Sequence, residues 1–372
     1  MTHAAARGLT ILACAATIAS GASAQEHRFP RAEPARLGMD AQLLARAGER
    51  ADAALPALLS LAILKRDTLV FERYFHGGAD TTGFNVKSVA KSILSALVGI
   101  ARREGFVPDL DRTLASIFPE HFARPPAPPR RMYRQAIAQM DSARSRITLR
   151  HILTMSTGQE WEENGLLTNA FLMSSNPVRF GLELAMEAMP GETFHYNTGA
   201  THVLSAALTR LTGSSLPELG ERYLFGPAGI VLKGWDVDPQ GIAVGGAEMY
   251  FTTRGMLRFG QLYHHEGMLE GAQIVPRDWV RESLTVHRRD VTDNFKEMIP
   301  GLEGYGYLWW PRRVGDATLW CALGLGGQFV VVDQSRDLVV AGTSALDCRS
   351  PGTLAQMKLI WKLLDELVLP AA

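Results

Sequence analysis

The stretch Lys87-Ser88-Val89-Ala90-Lys91-Ser92-Ile93-Leu94-Ser95-Ala96-Leu97 combines a serine and a lysine spaced for one helical turn with an apolar run. Ser88 and Lys91 stand at positions i and i+3, and residues at this spacing share one helix face with Cβ atoms roughly 5–6 Å apart. The apolar residues after Lys91 predict a buried helix. A lysine held against such a helix loses solvation, which lowers its pKa and lets its neutral amine accept a proton.

This spacing predicts Ser88 as a nucleophile and Lys91 as its base, but it also fits a capped surface helix with a solvated lysine. A polar loop precedes Ser88, so the serine is expected where the helix begins. The helix dipole and the free amides of the first turn favour negative charge at that position. The choice between the two interpretations depends on the rest of the chain.

The overall composition is that of an ordinary globular protein. The chain has 372 residues, 47% of them hydrophobic and 20% charged, and its formal net charge is zero. This length is enough for one large domain or two, with an ample core. No basic stripe stands out, so nucleic acid is not an expected partner. The local cluster Arg130–Arg134 is typical of a solvated loop face.

The first 24 residues have the three parts of a secretory signal peptide. Arg7 precedes a short apolar run over residues 9–19, and Ala22-Ser23-Ala24 forms a small-residue cleavage site. The run is too short to anchor the chain across a bilayer, and no later run is long enough. We expect a secreted or periplasmic protein cleaved near Ala24, with no transmembrane segment and no lipid anchor at Cys14.

Removal of that peptide would leave two cysteines, Cys321 and Cys348. They would either pair in an oxidising compartment or remain buried thiols, and the sequence leaves both possibilities open. His264-His265-Glu266 lacks the spacing of a His-Glu-x-x-His site, and the cysteines are too few for a zinc site. We therefore expect neither a metal nor a cofactor.

The order of the predicted elements favours an α+β fold with a largely antiparallel sheet. A helix capped by Asp40 precedes two apolar runs, 58–64 and 68–74, which predict a hairpin. Helical patterns dominate from Leu149 to about Leu224, so an inserted helical part is expected between strand-rich ends. Near the C-terminal end we predict four strands and then a helix that packs on the sheet, over residues 305–310, 317–322, 329–332, 338–344 and 354–368.

Two further stretches favour a catalytic role for Ser88. The turn Pro190–Gly199 would place Tyr196 at a helix start, where its phenol could pass a proton to or from the serine or the leaving group. A nearby lysine ammonium would make that phenol easier to ionise. The glycines of Gly324-Leu325-Gly326-Gly327-Gln328 would let a substrate approach the backbone, and amides there could form an oxyanion hole with that of Ser88. The alternative is that Tyr196 is an ordinary core tyrosine and that the glycine stretch only forms a tight turn.

With these stretches together, the sequence resembles the serine β-lactamase-like hydrolases: class C β-lactamases, family VIII carboxylesterases, D-aminopeptidases and 6-aminohexanoate-dimer hydrolases. The resemblance covers roughly residues 35–365 in family order. It implies a β-lactamase/transpeptidase-like fold in one domain over 25–372, with an antiparallel sheet flanked by helices and an inserted all-helical domain. The α/β part would span about 35–87 and 290–370, and the helical part about 88–289. The resemblance rests on Ser88-x-x-Lys91, Pro190-Gly191-x-x-Phe194-x-Tyr196 and Gly324-x-Gly326-Gly327-Gln328.

The resemblance also implies a role for each matching residue. Ser88 would be the acylated nucleophile, Lys91 its base and Tyr196 the proton shuttle. The amides of Ser88 and Gln328 would bind the oxyanion. Four further residues would contact the substrate: Asn197, Leu325, Gly326 and Gly327.

The chain departs from the family pattern at two places. The usual Tyr-x-Asn is replaced by Tyr196-Asn197-Thr198, and Leu325-Gly326-Gly327 stands where penicillin-recognising enzymes have Lys-Thr-Gly. The second position therefore lacks a cationic or polar group that would bind a substrate carboxylate. This favours hydrolysis of a small ester or linear amide, as in carboxylesterases or 6-aminohexanoate-dimer hydrolases. The alternatives are a β-lactamase or D-Ala-D-Ala peptidase, and a non-catalytic cell-wall or peptide-binding protein.

Several neighbouring side chains are left without a defined role by the sequence. His195 could tune the site but is also a common type of helix-start residue. The aromatic run ending at Trp310 fits either an acyl pocket or a packed edge strand. Glu162 and Glu163 lie in the predicted helical part, and the sequence gives no geometry for them.

Overall fold

The computed structural model describes residues 26–122, 142–345 and 352–372. The predicted signal peptide, the Arg130–Arg134 cluster and Cys348 lie outside the described residues. Cys321 is a buried free thiol. In the described ranges, none of the helices combines the length and the apolar character needed to cross a bilayer.

A six-stranded antiparallel sheet forms the centre of the fold. The strands are β1 (Leu58–Lys65), β2 (Thr68–Tyr74), β3 (Phe84–Asn85), β4 (Gly234–Trp235), β5 (Met249–Phe251), β6 (Met268–Leu269), β7 (Ala272–Gln273), β8 (Trp310–Val314), β9 (Ala317–Gly324), β10 (Gln328–Asp333) and β11 (Leu338–Ser344). The strand order in the large sheet is β2-β1-β11-β10-β9-β8. A short sheet, β3-β5-β4, lies beside the start of helix Val89–Arg103, and β6 pairs with β7.

Helices surround the large sheet, and most of them lie along the chain between its N-terminal and C-terminal strands. We call Val89–Arg103 the central helix. The other helices are Ala41–Ala54, Leu114–Ile117, Pro119–Phe122, Leu149–Leu153, Leu166–Met173, Pro177–Glu183, Thr198–Thr212, Leu216–Gly220, Gly226–Ala228, Thr253–His264, Arg277–Ser283, Asp293–Met298 and Thr353–Leu363, with a 3₁₀ turn at Pro34–Leu37 and π turns at Glu221–Phe225 and Leu364–Val368.

The inner strands are buried along most of their length because helices cover the sheet. Every residue of β10 and β11 is buried, which explains their continuous apolar sequences. Helix Thr253–His264 packs on β1, β10 and β11, although it falls within the predicted helical part at about 88–289. Gly260 permits this approach, since a Cβ there would lie 2.5 Å from Cγ1 of Val339.

Most local predictions for the sheet are confirmed. Asp40 caps helix Ala41–Ala54, β1 and β2 form the predicted hairpin, and β10 and β11 are joined across residues 334–337. The strand predicted over 305–310 is wrong, because regular pairing starts only at Trp310. Leu308 has a φ of +62° and its amide donates to the Leu153 carbonyl, so the backbone here turns toward a helix end instead of extending.

Candidate active site

Ser88 lies at the junction of a fixed turn and the buried central helix. It is the N-cap residue, and the following residues are buried as far as Ala101. The turn before it is strained, with a φ of +49° at Lys87. Asn85 accepts the Lys87 amide at 3.0 Å, and Lys87 Nζ lies 3.3 Å from a Glu248 oxygen. The short β3–β5 pair therefore holds the backbone that presents Ser88.

Lys91 meets Ser88 on the first turn of the central helix. Its Nζ lies 2.9 Å from Ser88 Oγ and donates to the Gly246 carbonyl at 2.8 Å. Only 1% of its surface is exposed, and burial lowers the pKa of Lys91 from 10.5 to about 8, an effect that the charge of Glu163 opposes. Lys91 is therefore a buried lysine, and the alternative of a solvated surface lysine is wrong.

The loop that carries Gly246 fits tightly around Lys91. A Cβ at Gly246 would lie 2.4 Å from Thr201 Oγ1 and 3.0 Å from Lys91 Nζ, so a side chain would displace the amine. The same loop is tied to helix Thr198–Thr212 by a buried pair, in which His202 Nε2 lies 2.9 Å from an Asp238 oxygen. These contacts hold the carbonyl that orients the lysine.

Tyr196 covers Lys91 with its ring. Lys91 Nζ lies 5.0 Å from the ring centroid. The Ser88 side chain forms a hydrogen bond with the Tyr196 hydroxyl, which by itself lowers the pKa of the phenol. Burial nevertheless raises the pKa of Tyr196 well above its usual range, and the charge of Glu163 adds to this rise. The expectation that the lysine would ease ionisation of the phenol is not met, because the amine faces the ring and the hydroxyl is desolvated. Tyr196 is therefore a neutral phenol at neutral pH.

The backbone around Tyr196 is fixed by Met155, a residue with a φ of +52°. The His195 amide donates to the Met155 carbonyl at 2.7 Å, and the Asn197 amide lies 3.3 Å from its sulfur. Asn197 is buried, and its Oδ1 caps the next helix through the Ala200 amide at 2.8 Å. Its predicted contact with substrate stays a prediction.

The glycine turn between β9 and β10 lies against the backbone that leads to Ser88. A Cβ at Gly324 would be 2.6 Å from the Val86 carbonyl oxygen and 3.0 Å from Lys87 Cβ. At the tip, Gly326 and Gly327 have φ values of +100° and +105°, which favour glycine. The Leu325 side chain between them and Gly324 is half-buried. The structure thus brings this turn beside the backbone that leads to Ser88.

Gln328 follows the turn as the first residue of β10. Its side-chain amide donates to the Ser344 carbonyl at 2.9 Å and is occupied within the sheet. Its predicted part in an oxyanion hole therefore depends on its backbone amide alone. That role stays a prediction, as does the substrate contact expected from Leu325, Gly326 and Gly327.

Aromatic rings form one wall beside Tyr196. The Trp310 ring stacks on it with centroids 5.6 Å apart, and the Phe295 ring lies at 5.3 Å. Trp310 is buried, whereas Phe295 is half-buried on helix Asp293–Met298. His195 points away from this group, with Nδ1 3.9 Å from a Glu187 oxygen. We therefore interpret Trp310 as a packed wall and His195 as a helix-start residue.

Glu163 reaches the site, and Glu162 does not make the same contacts. Thr198 Oγ1 donates to Glu163 at 2.5 Å, whereas Glu162 accepts the Leu166 amide at 2.9 Å. The sequence named both glutamates without distinguishing them, and it gave no signal for Gly246. In the part of the chain that the structure describes, His, Cys, Asp and Glu side chains form no group of three able to hold a metal ion.

A family model described as Beta-lactamase matches residues 49–349 of this chain. That span includes both sheet halves and all the site residues described above. A search of curated proteins finds no match.

Many solved structures share the fold at low sequence identity. One, named "Putative 6-aminohexanoate-dimer hydrolase from Bacillus anthracis", has a TM-score of 0.68 and 20% identity over 94% of this chain and 89% of that chain. EstCE1, described as a hydrolase with promiscuous acyltransferase activity, has a TM-score of 0.65 and 16% identity. The match covers 89% of this chain and 99% of that chain. A penicillin-binding protein homologue from Caulobacter crescentus has a TM-score of 0.61 and 13% identity. The match covers 91% of this chain and 100% of that chain. At these sequence identities, the similarity to the solved structures shows the fold alone.

Proposed function

This chain belongs to the beta-lactamase family, and from that premise we propose that it is a serine hydrolase that cleaves an ester or a linear amide through an acyl-enzyme on Ser88. The observation that carries the proposal is the distance of 2.9 Å between Ser88 Oγ and the Nζ of the buried Lys91, which lies against the Tyr196 ring. A lysine with a pKa of about 8 has a substantial neutral fraction at mildly alkaline pH, so it can serve as a general base.

In the proposed reaction, Ser88 Oγ bonds to the substrate carbonyl carbon while its proton passes to the neutral Lys91 amine. The negative charge on the former carbonyl oxygen is held by the backbone amides of Ser88 and Gln328. The bond from carbon to the leaving oxygen or nitrogen then breaks, and that atom takes a proton through Tyr196 from Lys91. Water attacks the acyl carbon next, which releases the acid and returns the proton to Ser88.

The residues at the glycine turn support an ester or linear amide over a β-lactam. Leu325, Gly326 and Gly327 offer no cationic or hydroxyl side chain where penicillin-recognising relatives carry one. The adjacent cation, Lys87, lies 3.3 Å from Glu248 and is engaged in that pair. A substrate carboxylate would therefore find no free charged partner among these described residues. The names of the hydrolase structures with the same fold agree with this choice.

A second candidate is a β-lactamase or a penicillin-binding peptidase, favoured by the fold shared with the Caulobacter crescentus homologue. The protein should be incubated with a fluorescent penicillin, a panel of p-nitrophenyl esters and a 6-aminohexanoate dimer. We expect turnover of esters or the dimer, and labelling of Ser88 by a fluorophosphonate. Fast β-lactam turnover without ester or dimer cleavage would reverse this order. A protein that hydrolyses nothing and resists the phosphonate would instead be a binding protein.

We expect Tyr196→Phe to lower kcat by roughly 10²- to 10³-fold with little change in KM, because it removes a proton-transfer group and keeps the ring packed on Trp310. Steady-state kinetics on the best ester measure this effect. Tyr223→Phe removes a phenol of the turn Glu221–Phe225, whose ring faces the Arg222 guanidinium, and it should retain full activity. Equal losses in both variants would contradict the shuttle role.

The proposal also includes export of the protein from the cytoplasm, which the sequence of residues 1–24 alone supports. N-terminal sequencing of protein recovered outside the cytoplasm should give a start near Gln25. Recovery of an uncut chain in the cytoplasm would contradict it.

A further inference from the structure

The Glu163 carboxylate is held by three hydrogen-bond donors next to the segment that carries Tyr196. Its Oε1 accepts from Thr198 Oγ1 at 2.5 Å, and its Oε2 accepts from the Thr198 amide at 3.2 Å and from the Trp161 indole at 2.6 Å. Thr198 follows Tyr196 by two residues and opens a helix of 15 residues. The carboxylate therefore lies at a helix N-terminus and accepts three hydrogen bonds there.

Glu163 acts electrostatically on both proton-carrying groups of the site. Its charge raises the pKa of Lys91 against the effect of burial, and it raises the pKa of Tyr196 in the same direction as burial. Lys91 is 1% exposed, so little solvent screens this interaction.

The other titratable groups around the site are engaged elsewhere or neutral. Lys87 and Glu248 face each other in the turn before Ser88, His202 pairs with Asp238, and burial keeps Tyr305 a neutral phenol against the Tyr196 ring. Thr198, which binds Glu163, lies next to Lys91 across Gly246, since a Cβ at Gly246 would be 3.0 Å from both Thr198 Cγ2 and Lys91 Nζ. Among the described residues, Glu163 is thus the carboxylate whose charge acts on the pKa of both Lys91 and Tyr196.

We propose that Glu163 is a positioning residue whose negative charge favours the Lys91 ammonium formed when Ser88 loses its proton and keeps Tyr196 a neutral hydrogen-bond donor. This inference rests on the proposed function. When Ser88 attacks, its proton moves to Lys91 and creates a buried cation, whose desolvation an adjacent carboxylate offsets. A Tyr196 phenolate would instead place a second negative charge near Glu163. The arrangement therefore assigns the base to Lys91 and proton donation to Tyr196.

Glu163→Gln tests this assignment because it keeps the side-chain length and removes the charge. The rate of Ser88 labelling by a fluorophosphonate, and kcat/KM for the best ester, should be measured between about pH 5 and pH 10. In the wild type both should rise with pH as Lys91 loses its proton, with a midpoint near its pKa of about 8. In the variant the midpoint should fall by about 0.5–1 unit and the plateau rate by roughly 10- to 100-fold.

Three further variants separate charge from hydrogen bonding. Glu162→Gln neutralises the adjacent exposed glutamate, which accepts the Leu166 amide, and should match the wild type. Thr198→Val removes a hydrogen bond to Glu163 but keeps the carboxylate, so its midpoint should stay at the wild-type value. Glu163→Ala is a second neutral variant with the same expected shift, for use if Glu163→Gln does not fold by circular dichroism.

The outcomes distinguish this inference from the function on which it rests. Labelling of wild-type Ser88 with the same midpoint in wild type, Glu163→Gln and Glu163→Ala would overturn the role of Glu163 only. An equal shift in Thr198→Val would show that hydrogen bonding, not charge, is responsible. A wild type that is never labelled at Ser88 would overturn the proposed function itself.

Discussion

Replacing Ser88 with alanine is expected to lower kcat/KM for the best substrate by roughly 10⁴- to 10⁶-fold and to abolish phosphonate labelling. The reason is that Ser88 Oγ is the hydroxyl that Lys91 contacts, at 2.9 Å, and its loss removes the atom that forms the acyl bond. Kinetics and intact-protein mass spectrometry would measure both effects. Stability should change little, because Ser88 Oγ makes no capping bond at its helix end.

Ser95→Ala is the matched control for this variant. Ser95 is a buried serine on the same central helix, two turns further along. We expect this variant to be labelled at the wild-type rate. Labelling that persists in Ser88→Ala would place the nucleophile at another residue and contradict the proposed chemistry.

Replacing Lys91 with methionine is expected to abolish turnover and yet make the folded protein more stable at pH 7. Methionine has a similar length and no amine, so Ser88 loses its base and kcat should fall by at least about 10³-fold. The stability gain follows from the pKa of Lys91, which is 10.5 in the unfolded chain and about 8 when folded. This difference corresponds to about 3 kcal/mol of destabilisation by the buried amine at pH 7.

The Gly246 carbonyl would lose its donor in the methionine variant, which costs about 1–2 kcal/mol. We therefore expect a net increase of about 1–2 kcal/mol in the free energy of unfolding at pH 7, measured in denaturant. Between about pH 8 and pH 10.5 the unfolded wild type binds the proton that the folded state has released, so wild-type stability rises with pH. The advantage of the variant should shrink over this range.

Lys358→Met is the control, since Lys358 is exposed on the C-terminal helix. It should leave both activity and the pH dependence of unfolding unchanged. A methionine variant at position 91 that was less stable than wild type, by a margin independent of pH, would show that the amine is not desolvated in the native state.

Features set by local geometry were predictable from the sequence. The i, i+3 spacing fixed the contact of Ser88 with Lys91 once the helix was recognised, and the run of apolar residues fixed its burial. The β1–β2 hairpin and the Asp40 cap follow from short-range patterns in the same way. Such features depend on few residues, so a single sequence is enough to find them.

Features created by long-range contacts were not predictable. Gly246 lies 155 residues from Lys91, and only the tertiary fold brings its carbonyl to the amine. Glu163 became distinguishable from Glu162 through its hydrogen bonds from Thr198 and Trp161. The residues before Trp310 failed as a strand because Leu308 bonds to Leu153, a partner far along the chain. The pKa of Tyr196 likewise depends on burial, which its neighbours in sequence do not determine.

The pairing of β1 with β11 has a consequence for biosynthesis. The Ser60 and Thr343 hydroxyls lie 2.6 Å apart although 283 positions separate them in the chain. Closing so long a loop carries a large entropic penalty and slows folding. Ser88 leaves the ribosome early, whereas the turn at Gly324 that completes its surroundings emerges late. A nascent chain should therefore carry the proposed nucleophile without a working site, and the onset of phosphonate reactivity would report completion of the central sheet.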